Sequence, residues 1–155
     1  MDQFFQQSDA STFFMDVQEG TVGTETNARI EKTIKNMLSA FNERDVELTL
    51  SCFYFDENFL SYGMDGSRSV EREEWRKLLE NEFNRLSTQE LDVKWSKISV
   101  YRTMATFVAE CSLVAKDQSE WEVVPLRMTA VLREINDRWK INQLYFSTES
   151  ITRAA

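Results

Sequence analysis

The spacing of apolar residues changes near residue 87, and this change constrains the fold more than any other feature of the sequence. Before it, apolar residues recur every three or four positions; after it, they alternate with polar residues. The first pattern is typical of amphipathic helices and the second of strands. Helices followed by a run of long strands favour an α+β fold over a parallel α/β sheet. The 155 residues, 42% of them hydrophobic, suffice for one domain with a sizeable core.

Three helices are predicted before this change, over residues 26–41, 45–53 and 70–86. Asp45 is a good N-cap for the second, because its side chain can accept a hydrogen bond from the first helical turn. Gly20 and Gly23 are expected to break the chain before the first helix. A short strand, 59–62, precedes the loop that contains Gly63 and Gly66.

Four long strands are predicted after the change, over residues 91–101, 104–116, 122–134 and 137–148. Their connections are short and polar, as antiparallel hairpins require; Asn136-Asp137 is one of them. The alternation slips near Ser96-Lys97, which predicts a β-bulge there.

The predicted domain covers residues 25–150, with an N-terminal extension over 1–24 and a tail over 151–155. The extension is polar but carries aromatic residues such as Phe4, Phe5, Phe13 and Phe14. Two interpretations stay open: an arm that docks on its own domain or a neighbour, and a disordered segment.

The strands suggest that both faces of the sheet are covered. One row is almost wholly apolar, and the opposite row mixes apolar groups with polar ones such as Arg127 and Thr129. We expect the helices to close the mixed face, leaving a polar-lined cavity, and a second copy of the chain to close the apolar face. A terminal segment of the same chain is the alternative cover. The predicted homodimer interface consists of Val124, Leu126, Met128, Ala130, Leu132, Leu144 and Phe146.

The order of these elements resembles the nuclear-transport-factor-like, or SnoaL-like, superfamily of cystatin-like fold. The resemblance covers about residues 29–147. It includes Asp56-Glu57 after the second helix, Arg127-Met-Thr129, and the closing run Trp139-Lys-Ile141-Asn-Gln143-Leu-Tyr145-Phe-Ser147. It implies three N-terminal helices packed in the concave face of a strongly curved, mainly antiparallel sheet, with a small-molecule pocket between them. Relatives often carry histidine where this chain has Gln143 and Tyr145.

The pocket implied by the resemblance gives a set of candidate ligand-binding residues. Arg127 could bind a carboxylate or phosphate, or instead form an internal ion pair with Asp56, Glu57 or another acidic group. The aromatic residues could line a pocket for a planar ligand, or simply fill the core. The full set is Arg127, Thr129, Gln143, Tyr145, Ser147, Tyr54, Tyr62 and Trp75.

Catalysis is constrained by the complete absence of histidine. That absence excludes Ser-His and Cys-His mechanisms and the scytalone-dehydratase type of site. If the chain is an enzyme, an isomerase, cyclase or dehydratase is expected, with Asp56 or Glu57 as general base and Tyr145 with Arg127 stabilising an oxyanion. The alternative, which the sequence favours, is that both carboxylates are exposed turn residues.

Other partners are limited by composition. The formal charge of −8 argues against nucleic acid and anionic membranes, and no apolar run approaches the roughly 20 residues of a membrane span.

Cys52 and Cys111 are expected to be free thiols in a reducing compartment, the cytoplasm. Neither a metal site nor a cofactor is expected. Three functions stay open: a small-molecule-binding domain, an enzyme, and a dimeric association or scaffold module.

Overall fold

The computed structural model describes residues 20–85, 88–117 and 119–148. The helices are α1 (Gly20–Asn42), α2 (Val46–Ser51) and α3 (Arg72–Arg85). The strands are β1 (Leu60–Tyr62), β2 (Arg68–Ser69), β3 (Thr88–Tyr101), β4 (Met104–Asp117), β5 (Glu120–Ile135) and β6 (Arg138–Thr148).

All six strands form one sheet in the order β2-β1-β6-β5-β4-β3. Each neighbouring pair is antiparallel except β1 and β6, which run parallel. The helices pack against this curved sheet, so the predicted α+β architecture is confirmed. The two-residue strand β2 lies in the loop predicted around Gly63 and Gly66 and was not expected from the sequence.

Helix α1 begins earlier than the apolar periodicity indicates. It starts at Gly20 rather than near Thr26, so Gly20 and Gly23 lie inside the helix instead of breaking the chain before it. Glycine in a helix interior costs about 1 kcal/mol relative to alanine, a penalty that packing elsewhere in the helix can outweigh. Ile30, Ile34 and Leu38 of α1 are all fully buried. Residues 1–19 and 149–155 lie outside the described residues, so the predictions for the arm and the tail are not tested.

The start of α2 agrees with the prediction. Asp45 has an extended backbone, and its Oδ1 accepts a hydrogen bond of 3.0 Å from the amide of Leu48. Arg44, immediately before it, has a positive φ of 59°, which allows the chain to turn from α1 into α2. The predicted turn at Asn136-Asp137 is confirmed as well, because both residues have positive φ, 51° and 65°, as a two-residue hairpin of matching twist requires.

The prediction of which sheet face meets the helices is wrong. The apolar row of β5 and β6 packs into the core with the helices, and the mixed row points away from them. Leu126, Met128, Ala130, Leu132 and Leu144 are each at most 4% exposed, and Phe146 is 9% exposed. Val124 is partly buried and packs against the same core.

The physical reason is the cost of burial. Burying a Leu or Met side chain stabilises the fold by about 1.5–3 kcal/mol, whereas an uncompensated guanidinium costs several kcal/mol in the same place. The seven residues predicted to form a dimer interface therefore belong to the interior of one chain. We call the opposite side of the sheet, which faces away from the helices, the outer face.

Two β-bulges determine which side chains of β3 and β6 face the helices. The first lies between Val93 and Trp95, slightly before the predicted position at Ser96-Lys97. The second was not predicted: Val131 pairs with Gln143, but Leu132 pairs with Ile141, so Asn142 is the extra residue of β6. An extra residue reverses the alternation of side chains along a strand. Trp139 and Ile141 thus face inward before the bulge, and Leu144 and Phe146 face inward after it.

Candidate functional site

Most of the predicted ligand-binding residues do come together, but on the outer face. Arg127 pairs with Ser147, and Thr129 pairs with Tyr145, across β5 and β6. Tyr145 also pairs with Tyr62 of β1. Arg127 and Ser147 are exposed, while Thr129 and Tyr145 are half-buried. The expected cavity between helices and sheet therefore does not include these side chains.

Tyr145 is held in place by its neighbours on this face. Its hydroxyl donates to Oε1 of Gln143, and Nε2 of Gln143 donates 3.0 Å to the carbonyl of Asn58. Its ring lies 5.9 Å from the ring of Tyr62. Partial burial, together with the nearby Tyr62 hydroxyl, raises the pKa of Tyr145 above its usual value. The phenol therefore keeps its proton at neutral pH and acts as a hydrogen-bond donor.

Asp56 forms an internal ion pair, but its partner is Arg133 rather than the predicted Arg127. The Arg133 guanidinium lies 2.9 Å from Oδ2, while Asn142 and the Asn58 amide donate to Oδ1 at 3.0 and 2.9 Å. Partial burial opposes ionisation of Asp56, but the hydrogen bonds from Asn142 and Asn58 and the Arg133 charge outweigh it and lower the carboxyl pKa. A carboxylate with a lowered pKa is a weaker general base at neutral pH. Glu57 is exposed beside it.

The predicted aromatic wall is divided among three places. Trp75 is buried in the core, where its ring contacts Phe53 at 5.6 Å. Tyr54 lies beneath the Arg133 guanidinium at 5.8 Å, and Tyr62 lies on the outer face, 37% exposed. These residues do not line one cavity together.

Several buried polar groups on the helix side of the sheet have no hydrogen-bond partner among the residues that the structure describes. They are Ser61 Oγ, the indole nitrogens of Trp75 and Trp139, and both amide atoms of Asn27 and Gln89. Buried polar atoms normally have protein or water partners, so these atoms are exceptions to the usual pairing. Gln89 was missed from the sequence, although an amide directly before the inward-facing row of Leu91 and Val93 is a signal that could have been used.

Two surface depressions are bordered by the described residues. A smaller one, of about 420 Å³, lies beside the first bulge and is lined by Lys94, Glu110, Ser112, Arg127 and Ser147 among others. A larger one, of about 840 Å³, lies between α1, α2 and the β5–β6 hairpin. Within the same described ranges, histidine, cysteine and acidic residues form no cluster of three that could bind a metal. No helix there is long and apolar enough to cross a membrane.

Comparison with solved structures shows the same fold in proteins of distant sequence. A candidate dehydratase of the NTF2-like family from Streptomyces avermitilis superposes with a TM-score of 0.74 and 13% identity, covering 83% of this chain and 98% of that one. An NTF2-like superfamily protein from Salmonella enterica gives a TM-score of 0.70 and 19% identity, covering 83% and 93%. A candidate calcium/calmodulin-dependent protein kinase II association domain from Xanthomonas campestris gives 0.68 and 12%, covering 84% and 89%.

At these identities the likeness concerns the fold alone. No curated protein matches the sequence. A family model described as a SnoaL-like domain, however, matches residues 30–150, which is most of the chain. The resemblance inferred from the order of helices and strands is therefore confirmed, and the chain belongs to the SnoaL-like domain family.

Proposed function

We propose that this chain is a homodimeric association module that joins two copies through the outer face of its sheet. The observation that carries the proposal is the distribution of exposed apolar side chains. Eight large hydrophobic residues are exposed within the described ranges. Six of them lie on the outer face: Tyr62, Tyr101, Met104, Val108, Trp121 and Val123. Most of them are spread along the length of β4 and β5, and apolar groups on one open sheet face are typical of a protein–protein interface.

Charge also favours a second copy as the partner. Two chains of net charge −8 repel each other unless the faces that meet are close to neutral. Around Val108, near the middle of the outer face, the charged neighbours are Lys97, Glu110 and Arg127. Their signs are mixed, so a two-fold arrangement can place a cation opposite Glu110 without bringing acidic patches together.

Sedimentation velocity tests the proposal. At a protein concentration in the micromolar range, we expect a species of about twice the chain mass of 18.2 kDa. Val108→Glu should convert it to monomer, because two carboxylates would be buried near the two-fold axis. Val70→Glu is the matched control, since Val70 is similarly exposed, 49% against 40%, but lies outside the sheet. A monomeric wild type, or a dimer that survives Val108→Glu with circular dichroism unchanged, would contradict the proposal.

A second candidate function, small-molecule binding between helices and sheet, is favoured by Gln89. Its side chain is 4% exposed, and both amide atoms lack partners in the described part of the chain. An unpaired buried amide costs about 1–3 kcal/mol, which a ligand with complementary donor and acceptor groups would recover. Native mass spectrometry of the protein as purified should then show a retained molecule that Gln89→Leu loses. If the protein retains no molecule and Gln89→Leu raises the free energy of unfolding, the interior beside Gln89 is a closed core without a ligand.

A proton-transfer enzyme receives less support. Its proposed base, Asp56, is paired with Arg133, and its proposed oxyanion ligands, Tyr145 and Arg127, lie on the outer face. We place the chain in the cytoplasm as part of the same proposal, because Cys52 and Cys111 are both free and buried.

A further inference from the structure

The larger depression, which we call the α1 groove, is lined by an unusual set of charges. One wall is a polar stripe of α1 containing Arg29, Lys32, Thr33, Asn36 and Ser39. The other wall is formed by α2 and by the hairpin segment 137–140. Its volume of about 840 Å³ lies within the range of small-molecule sites.

Positive charge is concentrated in this groove although the chain is strongly acidic. Four cations line it, Arg29, Lys32, Arg138 and Lys140, against two carboxylates, Glu43 and Asp137. The groove therefore has an excess of two positive charges in a chain of net charge −8. A concave surface with an excess of one sign of charge attracts ligands of the opposite sign.

The four cations fall into two groups. Arg29 is paired with Glu134 at 3.3 Å, and Lys140 donates 2.7 Å to the carbonyl of Ser51. The side chains of Lys32 and Arg138 are exposed and make no hydrogen bond or ion pair within the described part of the chain. Two cations without partners on facing walls of one groove are available to a ligand without any existing contact being broken.

Neutral polar groups complete the lining. Asn36 and Ser39 add an amide and a hydroxyl one and two helical turns beyond Lys32. Trp139, also in the lining, is 4% exposed, and its buried indole N–H has no hydrogen-bond partner within residues 20–85, 88–117 and 119–148. Thr33 is less available to a ligand, because its hydroxyl already donates a hydrogen bond of 2.7 Å to the carbonyl of Trp139.

We propose that the α1 groove binds a small organic anion whose phosphate or carboxylate group lies between Lys32 and Arg138. Arginine can bind such a group with two parallel hydrogen bonds, and lysine adds a compact charge. Asn36 and Ser39 then hydrogen-bond the uncharged part of the ligand. The site is separate from the outer face and from the interior beside Gln89, so it extends the proposed function rather than restating it.

Isothermal titration of the full chain with inorganic pyrophosphate at about 20 mM salt tests the proposal, because low salt preserves exposed charge interactions. We expect saturable binding that weakens at least about tenfold in Lys32→Gln/Arg138→Gln, equivalent to losing one charge-assisted hydrogen bond. Lys77→Gln/Arg68→Gln is the matched control: it removes the same charge from exposed positions outside the groove and should bind as the wild type does.

Two results would overturn this assignment. Absent binding to the full chain, or equal weakening in both double variants, would mean that the groove does not select anions. Binding only after removal of residues 1–19 would mean that this segment occupies the groove instead. That segment carries Asp2, Asp9, Asp16 and Glu19 but no lysine or arginine, so its charge also complements the groove.

Discussion

Leu132 of β5 pairs with Ile141 of β6, whereas Val131, the residue before it, pairs with Gln143. Asn142 is left between the two pairs, and its side chain is 2% exposed. Its Nδ2 donates 2.9 Å to the carbonyl of Tyr54 and 3.0 Å to Oδ1 of Asp56. The bulged residue therefore connects the sheet to the loop that follows α2.

Replacing Asn142 with alanine should lower the free energy of unfolding by about 1–3 kcal/mol, because buried groups lose their hydrogen bonds. Urea denaturation measures the change. Asn84→Ala is the control, since Asn84 is exposed on α3 and should alter stability by less than about 0.5 kcal/mol. Similar losses in the two variants would mean that the bulge does not anchor the loop.

The assignment of sheet faces is tested by two adjacent residues of β5. Met128 is fully buried, and Thr129 is half-buried on the outer face. Met128→Ala should cost about 2–5 kcal/mol of unfolding free energy, as large-to-small changes in a core do. Thr129→Val lies on the face open to water and should change stability by less than about 1 kcal/mol, as substitutions away from the core usually do. If Thr129→Val instead lowered the free energy of unfolding more than Met128→Ala, the mixed row would be the one that lies in the core.

Asp56 should make stability depend on pH at the acid end. Its folded-state pKa is lowered, so its contribution is present above the unfolded pKa of about 3.9 and is lost as pH falls through the folded value. We expect Asp56→Asn to cost about 1–2 kcal/mol at pH 7, because the pair with Arg133 is partly exposed. The difference from wild type should shrink below about pH 4.

The neighbouring exposed Glu57 supplies the control for this titration. At pH 7, Glu57→Gln should change the free energy of unfolding by less than about 0.5 kcal/mol, as substitutions at exposed positions usually do. A constant difference between Asp56→Asn and wild type from pH 7 to pH 3, followed by urea denaturation, would show that ionisation of Asp56 does not stabilise the fold.

Cys111 should resist alkylation in the folded protein. Burial, with the nearby Asp92 and Glu110 charges, raises the pKa of its thiol to about 12, and only the thiolate reacts quickly. Iodoacetamide at pH 8 should therefore modify it only after unfolding in urea, as followed by intact-mass spectrometry. Cys111→Ser assigns the modified site. Rapid labelling of Cys111 in the native protein would show that β4 opens readily.

Prediction from sequence worked best where local chemistry decides the structure. The Asp45 N-cap and the Asn136-Asp137 turn were both confirmed, because each depends on residues adjacent in the chain. The start of α1 was missed, because Gly20 and Gly23 join a helix whose stability comes from apolar residues further along. The candidate site was predicted less accurately. Arg127, Thr129 and Tyr145 do lie on one face of the sheet, but this face is opposite to the helices, whereas the prediction placed them beside the helices.

The sequence by itself determined the two apolar periodicities, and with them three helices, a run of long antiparallel strands and the family to which the chain belongs. Only the tertiary structure decided which face of the sheet the helices cover. Alternation divides a strand into two rows but does not say which row meets the helices, and one extra residue, Asn142, exchanges the rows within β6. The helices cover the row that contains Met128 and Leu132 because burying these side chains is favourable, whereas burying Arg127 is costly. This difference in free energy arises only when the helices and the sheet pack together.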